Sequence, residues 1–405
     1  MNRVLVLALL FAGLSRVATV SQPLHHLYWS RNGSGNGTIV MPLRLVDERP
    51  FIEVQINGKG PFRFLLDSGG VALLNADLIK TLGLPVLDTV EGTGAGEQRV
   101  IGYSTSIREF RIGNIVLNDV SCNATSFADA RHVFGAEEYD GVIGLPLFSR
   151  FVVALDYEKK TVAFTAPGRF DYRGSGYIVK FEPLRQLPLI LASIDGIEGR
   201  FGVDTGAAGS VLLTSSFIDT NHLRAKYNPK IEAISGWGIG GAIRSQIARS
   251  NSFKIGPLEL HNLVTRLSLQ KSGSLAASPY SGLLGGRFLS RFRLIFDYQG
   301  CRIIFEPNRA FGDRDSYDRA GMWLSVAADA RNWEVTDVLA SGPAYRAGLR
   351  IGDQVQKIDG KSVAVLSLPA IRRRLRTASP GKKISVEVIA EGRVRTVVVQ
   401  LEELV

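Results

Sequence analysis

Two cysteines, Cys122 and Cys301, are all that 405 residues contain. A disulfide framework of the kind that staples small secreted modules is therefore excluded. A single bridge between the two stays open, although they sit at non-equivalent places in the chain; each thiol otherwise reads as structural. Histidine is scarce as well, at five residues. Only His25 and His26 are neighbours, in a polar stretch where such a pair is ordinarily solvated, and no zinc-ligand spacing exists. No Gly-x-Ser-x-Gly elbow occurs, and neither cysteine sits in a nucleophile signature. Long apolar runs are missing too. The longest, Val4 to Leu14, follows Met1-Asn2-Arg3 and is too short to span a bilayer comfortably. With small residues near Ala18 to Ser21 behind it, residues 1–21 read as a signal peptide. Export to a periplasm or to the cell exterior is the expectation. A retained N-terminal anchor, holding the protein near a membrane, is the alternative. No cysteine lies nearby to carry a lipid.

What the chain has in quantity is glycine, 43 residues, with weak helical periodicity. Apolar residues make up 45% and charged residues 21%, which is globular material with ample core. The length allows two or three domains, mainly β. The formal net charge is +10, with arginines scattered except for Arg372, Arg373, Arg374 and Arg376. That cluster falls in a helix-like run, Leu368 to Leu375, and reads as a solvated face. No nucleic-acid-binding module is visible.

The chain repeats itself. Phe64-Leu65-Leu66-Asp67-Ser68-Gly69-Gly70 returns as Phe201-Gly202-Val203-Asp204-Thr205-Gly206-Ala207. Upstream of each acid lies an alternating strand ending in a turn pair, Asn57-Gly58 or Asp195-Gly196, which is a hairpin signal. Downstream come glycine-rich pentapeptides, Gly92-Thr93-Gly94-Ala95-Gly96 and Gly236-Trp237-Gly238-Ile239-Gly240. No helix pattern follows either one, which excludes a phosphate loop. Then come Val142-Ile143-Gly144 and Leu283-Leu284-Gly285, at nearly equal distances from their acids. Each half closes on an apolar strand and Asp-Tyr, at Asp156-Tyr157 and Asp297-Tyr298. The halves are two copies of one β-rich unit, residues 40–167 and 178–308, joined by a glycine- and charge-rich connector at 168–176.

A duplicated acid suits one chemistry in particular. Two carboxylates about 3 Å apart cannot both ionise, so one keeps a proton. The ionised member can then take a proton from water while the protonated one polarises a carbonyl.

The two halves resemble the lobes of aspartic proteases, most closely retropepsin-type bacterial proteins with both lobes in one chain. The resemblance rests on Asp-Ser/Thr-Gly twice, each followed by apolar-apolar-Gly. It implies a mainly β fold, two tandem retropepsin-like lobes forming pseudo-twofold β-barrels. It implies Asp67 and Asp204 as a catalytic dyad on the pseudo-twofold axis, with Ser68, Gly69, Thr205 and Gly206 supporting the acid turns. It places flaps at Gly92, Gly94 and Gly96 and at Gly236, Trp237, Gly238 and Gly240. The substrate implied is an extended polypeptide, with Trp237 and Tyr103 as candidate contacts. No cofactor and no metal are called for, and one chain suffices to complete the site.

Residues 319–405 resemble a bacterial-type PDZ domain. The marker is Ser341-Gly342-Pro343-Ala344 with Ala347-Gly348-Leu349, Gly352-Asp353, and Ile358-Asp359-Gly360. The resemblance implies capture of a peptide or a chain end at a sheet edge. Gly321-Met322-Trp323-Leu324 is the best match to the carboxylate-binding loop, with Trp323 open to a core role instead. The polar stretch 308–316 reads as a linker. Two functional readings follow: an exported endopeptidase whose PDZ domain recruits or gates substrate, and a catalytically silent peptide-binding adaptor of the same shape.

Overall fold

The computed structural model describes residues 37–135, 139–276, 279–327 and 331–405. Residues 1–21, expected to be a signal peptide, and the pair His25 and His26 lie outside the described residues. Among the described residues no helix is long and apolar enough to cross a membrane.

Each half begins with the hairpin that its turn pair announces. In the first, Arg49–Ile56 turns back at Asn57-Gly58 into Lys59–Leu66; in the second, Leu187–Ile194 turns at Asp195-Gly196 into Ile197–Val203. The turn residues all have positive φ, near +50° for Asn57 and Asp195 and near +80° for Gly58 and Gly196. That is the left-handed pair a tight, right-twisted hairpin needs. The side chain at the first position docks the turn. Asn57 Oδ1 accepts the Glu109 N–H at 2.9 Å, and Asp195 Oδ1 accepts the Ser252 N–H at 2.7 Å. The same device thus serves both copies.

The returning arm delivers the acid. It runs parallel to the apolar-apolar-Gly strand, with Leu66 opposite Ile143 and Val203 opposite Leu284. Next in sequence are long hairpins, Asp88–Thr93 with Arg99–Ile112 and Ile231–Gly238 with Gly241–Ile255, whose tips are the glycine-rich pentapeptides.

The lobes are tied by their closing strands. Val152–Asp156 pairs antiparallel with Phe292–Asp297, placing Leu155 opposite Leu294. Thr38–Pro42, Thr161–Thr165, Arg302–Pro307 and Tyr177–Leu184 extend this sheet on either side. One face carries Phe148 against Phe296, ring centroids 5.2 Å apart, with Phe292 against Phe305. The other face, Val152, Ile295 and Ile304, is covered by Phe170 and Tyr172 from the 168–176 connector.

The last unit is a sheet of Met322–Val326, Trp333–Val338, Gln354–Ile358, Lys383–Ala390 and Arg393–Gln400 with its own core. The expected helix spans Leu368–Thr377; its N-cap Ser367 accepts the Ala370 N–H.

Two expectations need correction, and one open question is answered. The stretch 308–316 is not a free linker. Phe311 packs on Phe292, and the buried Asp315 accepts the Val264 N–H at 2.8 Å, so it straps the second lobe. The arginine cluster is not a uniformly solvated face. Arg373 is exposed, but Arg376 has a side chain only 13% exposed and Arg372 is sunk between domains, because acids and carbonyls of the first lobe face them. Cys122 and Cys301 do not pair: Cys122 is buried and Cys301 exposed, and both are free thiols.

Phe296 is fully buried on the inter-lobe sheet. Phe296→Ala is expected to destabilise the folded chain by about 3–5 kcal/mol. A urea titration followed by tryptophan fluorescence measures this, and both lobes should lose stability together.

Candidate active site

Tight backbone packing brings the two acids together. The Asp67 N–H bonds to Ile143 O and the Asp204 N–H to Leu284 O, each at 3.1 Å. A Cβ at Gly144 would overlap Asp67 O, and one at Gly285 would lie 2.7 Å from Ala208 O. Only glycine lets these strands pass behind the acid turns so closely. The two turns then meet. A Cβ on Gly69 would sit 3.5 Å from Asp204 Cγ and 3.5 Å from Asp67 Oδ1; one on Gly206 would sit 2.5 Å from Asp67 Oδ2. The carboxyls therefore face one another across the lobe interface, as the resemblance implies.

The neighbouring hydroxyls lock that interface reciprocally. Thr205 Oγ1 accepts the Ser68 N–H at 2.9 Å and donates to Leu66 O at 2.7 Å. Ser68 Oγ accepts the Thr205 N–H at 3.1 Å and donates to Val203 O at 2.8 Å. Four hydrogen bonds thus cross between lobes, all buried, where an unpaired partner is costly.

The pair is not electrically symmetric. Asp67 Oδ1 accepts one backbone N–H, from Gly69 at 2.8 Å. Asp204 Oδ1 accepts two, from Gly206 at 2.9 Å and Ala207 at 3.0 Å. Burial and then the charge of Asp204 push Asp67 well above the usual carboxylate range. Burial raises Asp204 as well, but the Ala207 and Gly206 N–H groups and the Asp67 carboxyl oppose it. The backbone donors therefore favour the ionised form more at Asp204 than at Asp67, within one pair that titrates as a unit.

Several surrounding residues have no sequence motif to mark them. Arg49, 7% exposed, donates from Nε to Gly206 O at 2.8 Å and pairs with Asp47 at 3.3 Å. Tyr298 donates to Ser68 O at 2.5 Å; burial and the two acids push its phenol well up, which keeps it a donor. Arg266 donates to Ala208 O and to Ser235 O, joining the second acid turn to the second hairpin. None of these could be picked from spacing, since each is brought in from another strand or lobe.

The glycine-rich tips meet one another. The Gly96 N–H bonds to Ile239 O and the Gln98 N–H to Gly240 O, each at 3.0 Å. Gly94, Gly96, Gly238 and Gly240 have no room for a Cβ against the opposite tip. Gly92 and Gly236 instead sit in the paired arms, opposite Val100 and Ile243. Each tip fills the other lobe's apolar wall. Ile239 and Trp237 pack with Phe51, Leu65, Phe134 and Tyr139, whereas Ala95 packs with Leu187, Leu212 and Leu283. A cavity of about 80 Å³ beside the acid turns is lined by Arg49, Leu65, Phe127, Phe134, Gly206 and Ile239. Trp237 stacks on His132 at 3.9 Å. Tyr103 does not join the site; it faces outward from its strand and is 39% exposed.

In the C-terminal unit, Gly321 has φ +69° and immediately precedes the edge strand Met322–Val326. Met322 and Leu324 are core side chains, so they cannot offer their side chains to a ligand. Trp323 is not core: it lies under the Arg372 guanidinium, 4.1 Å from the ring centre. Among the described residues no three His, Cys, Asp or Glu side chains converge as a metal site.

The Aspartyl protease family model matches residues 52–147 and 190–288, one match per lobe, and the PDZ domain model matches residues 334–389. The chain thus carries two tandem aspartyl-protease segments, each supplying one of the facing acids, and a PDZ domain behind them. No curated protein matches it.

Thr205→Val, which keeps the shape and removes the hydroxyl, should cost about 1–3 kcal/mol in urea unfolding, while Thr205→Ser should cost less. Asp67 holds its proton more tightly folded than unfolded, so it favours folding at low pH and costs stability as pH rises. Asp67→Asn should therefore be more stable than the parent at pH 7, with the gap closing as pH falls into the ordinary carboxylate range; equal gaps at both pH values would contradict that ionisation state.

Proposed function

We propose that this protein is an exported aspartic endopeptidase. Asp204, ionised, takes a proton from a water molecule held between the acids. That water's oxygen attacks the peptide carbonyl carbon, and the proton on Asp67 passes to the carbonyl oxygen. Collapse of the tetrahedral species then breaks the C–N bond, with the proton from Asp204 delivered to the departing amine and a hydroxyl proton of the tetrahedral species returned to Asp67. Water is the nucleophile, so no acyl-enzyme forms. In this reading the tips Gly92–Gly96 and Gly236–Gly240 part to admit an extended polypeptide and close over it.

The single observation that carries the reading is the reciprocal grip of Ser68 and Thr205 around two facing acids with unequal donors. A peptide-binding scaffold has no use for a buried, proton-sharing acid pair, which is expensive to keep. The silent-adaptor reading draws on the tips filling the opposite walls. Residues 1–21 serve as the signal peptide in this proposal.

Asp204→Asn should lower kcat on a protein substrate such as casein by about 10²–10⁴-fold with little change in KM. A statine-containing peptide, which mimics the tetrahedral species, should inhibit the parent. Activity should fall on the acid side as Asp204 protonates. Because its carboxyl is raised, that limb should lie above the ordinary aspartate range. Unchanged turnover in the Asn variant would leave only the adaptor.

A further inference from the structure

The PDZ groove of this chain is already in use. The edge strand Met322–Val326 and the helix Leu368–Thr377 form its two walls. Between them lies a segment of the first protease lobe, the short helix Arg131–Phe134 and Gly135. A Cβ on Gly135 would lie 3.0 Å from Leu368 Cβ on one wall and 3.4 Å from Val326 Cγ2 on the other. Arg372 fixes the segment from above. Its guanidinium donates to Val133 O at 2.9 Å and to His132 O, and also to Leu324 O of the edge strand. One side chain thus joins both walls to the occupant.

The end of the groove is filled as well. The backbone N–H groups ahead of the edge strand point inward, where a ligand's terminal carboxylate would sit. They are taken by this chain's own Asp318: Oδ1 accepts Ala320 N–H at 3.0 Å and Gly321 N–H at 2.6 Å. Burial pushes the Asp318 carboxyl up to about 6, against the pull of the Gly321, Met322 and Ala320 N–H groups and of Arg376. A half-buried carboxylate of the chain itself is therefore already seated in the nest, and a second one would compete for the same N–H donors and, with Asp318 ionised, meet like charge there.

The occupant reaches the protease cleft on its other side. Val133 and Phe134 line the cavity with Arg49 and Gly206, and His132 stacks on Trp237 of the second tip. The helix wall is bolted beside it: Arg376 pairs with Glu48 at 2.7 Å and with Asp47 at 3.5 Å, the two residues directly ahead of Arg49.

We propose that the PDZ groove is the receptor for the chain's own segment 131–135, and that an external ligand is an internal peptide stretch that displaces this segment rather than a free chain end. The groove then binds a partner only by uncovering a wall of the protease cleft. Occupancy of one site is thereby linked to the order of the other, and the linkage is reciprocal. The inference concerns binding and stands or falls separately from peptide-bond hydrolysis.

The test uses the full chain with Asp67→Asn, so that no peptide can be cut. The probe is the synthetic heptapeptide of residues 129–135, Asp-Ala-Arg-His-Val-Phe-Gly, as the free acid and as the C-terminal amide. Gly135→Arg places a long side chain at a positive-φ position facing Leu368 and Val326, which should expel the segment. The amide probe should then bind at least 10-fold more tightly than to the Gly135 protein, and hydrogen exchange at Val133 and Phe134 should speed up at least 10-fold. Equal probe affinity with unchanged exchange would overturn the self-docked groove. A second variant guards against a general loss of folding. In the Gly135→Arg background the two probe forms should bind alike, whereas adding Asp318→Ala should favour the free acid by 10-fold or more. A free-acid preference that exists before Asp318 is removed would overturn the internal-peptide assignment.

Discussion

The exchange of hydroxyls between Ser68 and Thr205 is the constraint on which the site depends. Each side chain satisfies a backbone donor and a backbone acceptor of the opposite lobe, and none of the four bonds reaches water. The lobes cannot slide or rotate without orphaning buried groups, so the acids inherit a fixed separation. The inter-lobe sheet supplies the coarse alignment through Leu155 and Leu294, and the hydroxyls supply the fine one. Glycines at 144 and 285 allow the supporting strands to press against the acid turns from behind.

A second set of contacts makes the PDZ domain part of the protease body. Arg376 grips the Asp47-Glu48 turn, whose backbone holds positive φ, and Asp337 accepts the Ile234 N–H of the second hairpin at 2.6 Å. Burial opposes its charge, yet Arg49 and Arg376 hold Asp47 well below the usual carboxylate range. These ions are shielded from water and so couple strongly, unlike surface pairs. The Asp47-Glu48 turn, Arg49 and the Gly206 carbonyl then form one continuous route from the PDZ helix to the acids.

The sequence made the duplicated parts readable, because a motif seen twice in one order leaves little room for chance. The acids, their hydroxyl neighbours, the supporting glycines and both hairpin turns all sit where the repeat places them. The PDZ fold was legible from its run of turn residues between Ser341 and Gly360. The contacts between units were not. Arg49, Tyr298, His132 and Arg372 carry no local pattern, since their partners lie on other strands or in another domain. Arg372 was misread for a definite reason: an arginine-rich helix face is ordinarily solvated, and only the docking of residues 131–135 buries it. The 308–316 stretch failed similarly, because a polar run gives no hint that Asp315 will find the Val264 N–H. Leu324 looked like a ligand contact because a loop motif does not reveal which way alternate side chains turn.

The unequal donors at the two acids mean that the halves of this duplicated chain are no longer interchangeable. Gly70 stands where Ala207 stands in the other turn, and the Gly70 N–H turns to Asp67 O, whereas Ala207 N–H also reaches its acid's side chain. A molecule assembled from two identical copies of either half would restore perfect equivalence and, with it, an even division of the proton. Divergence after duplication has instead written unequal hydrogen-bond donors into the backbone, one residue past each glycine.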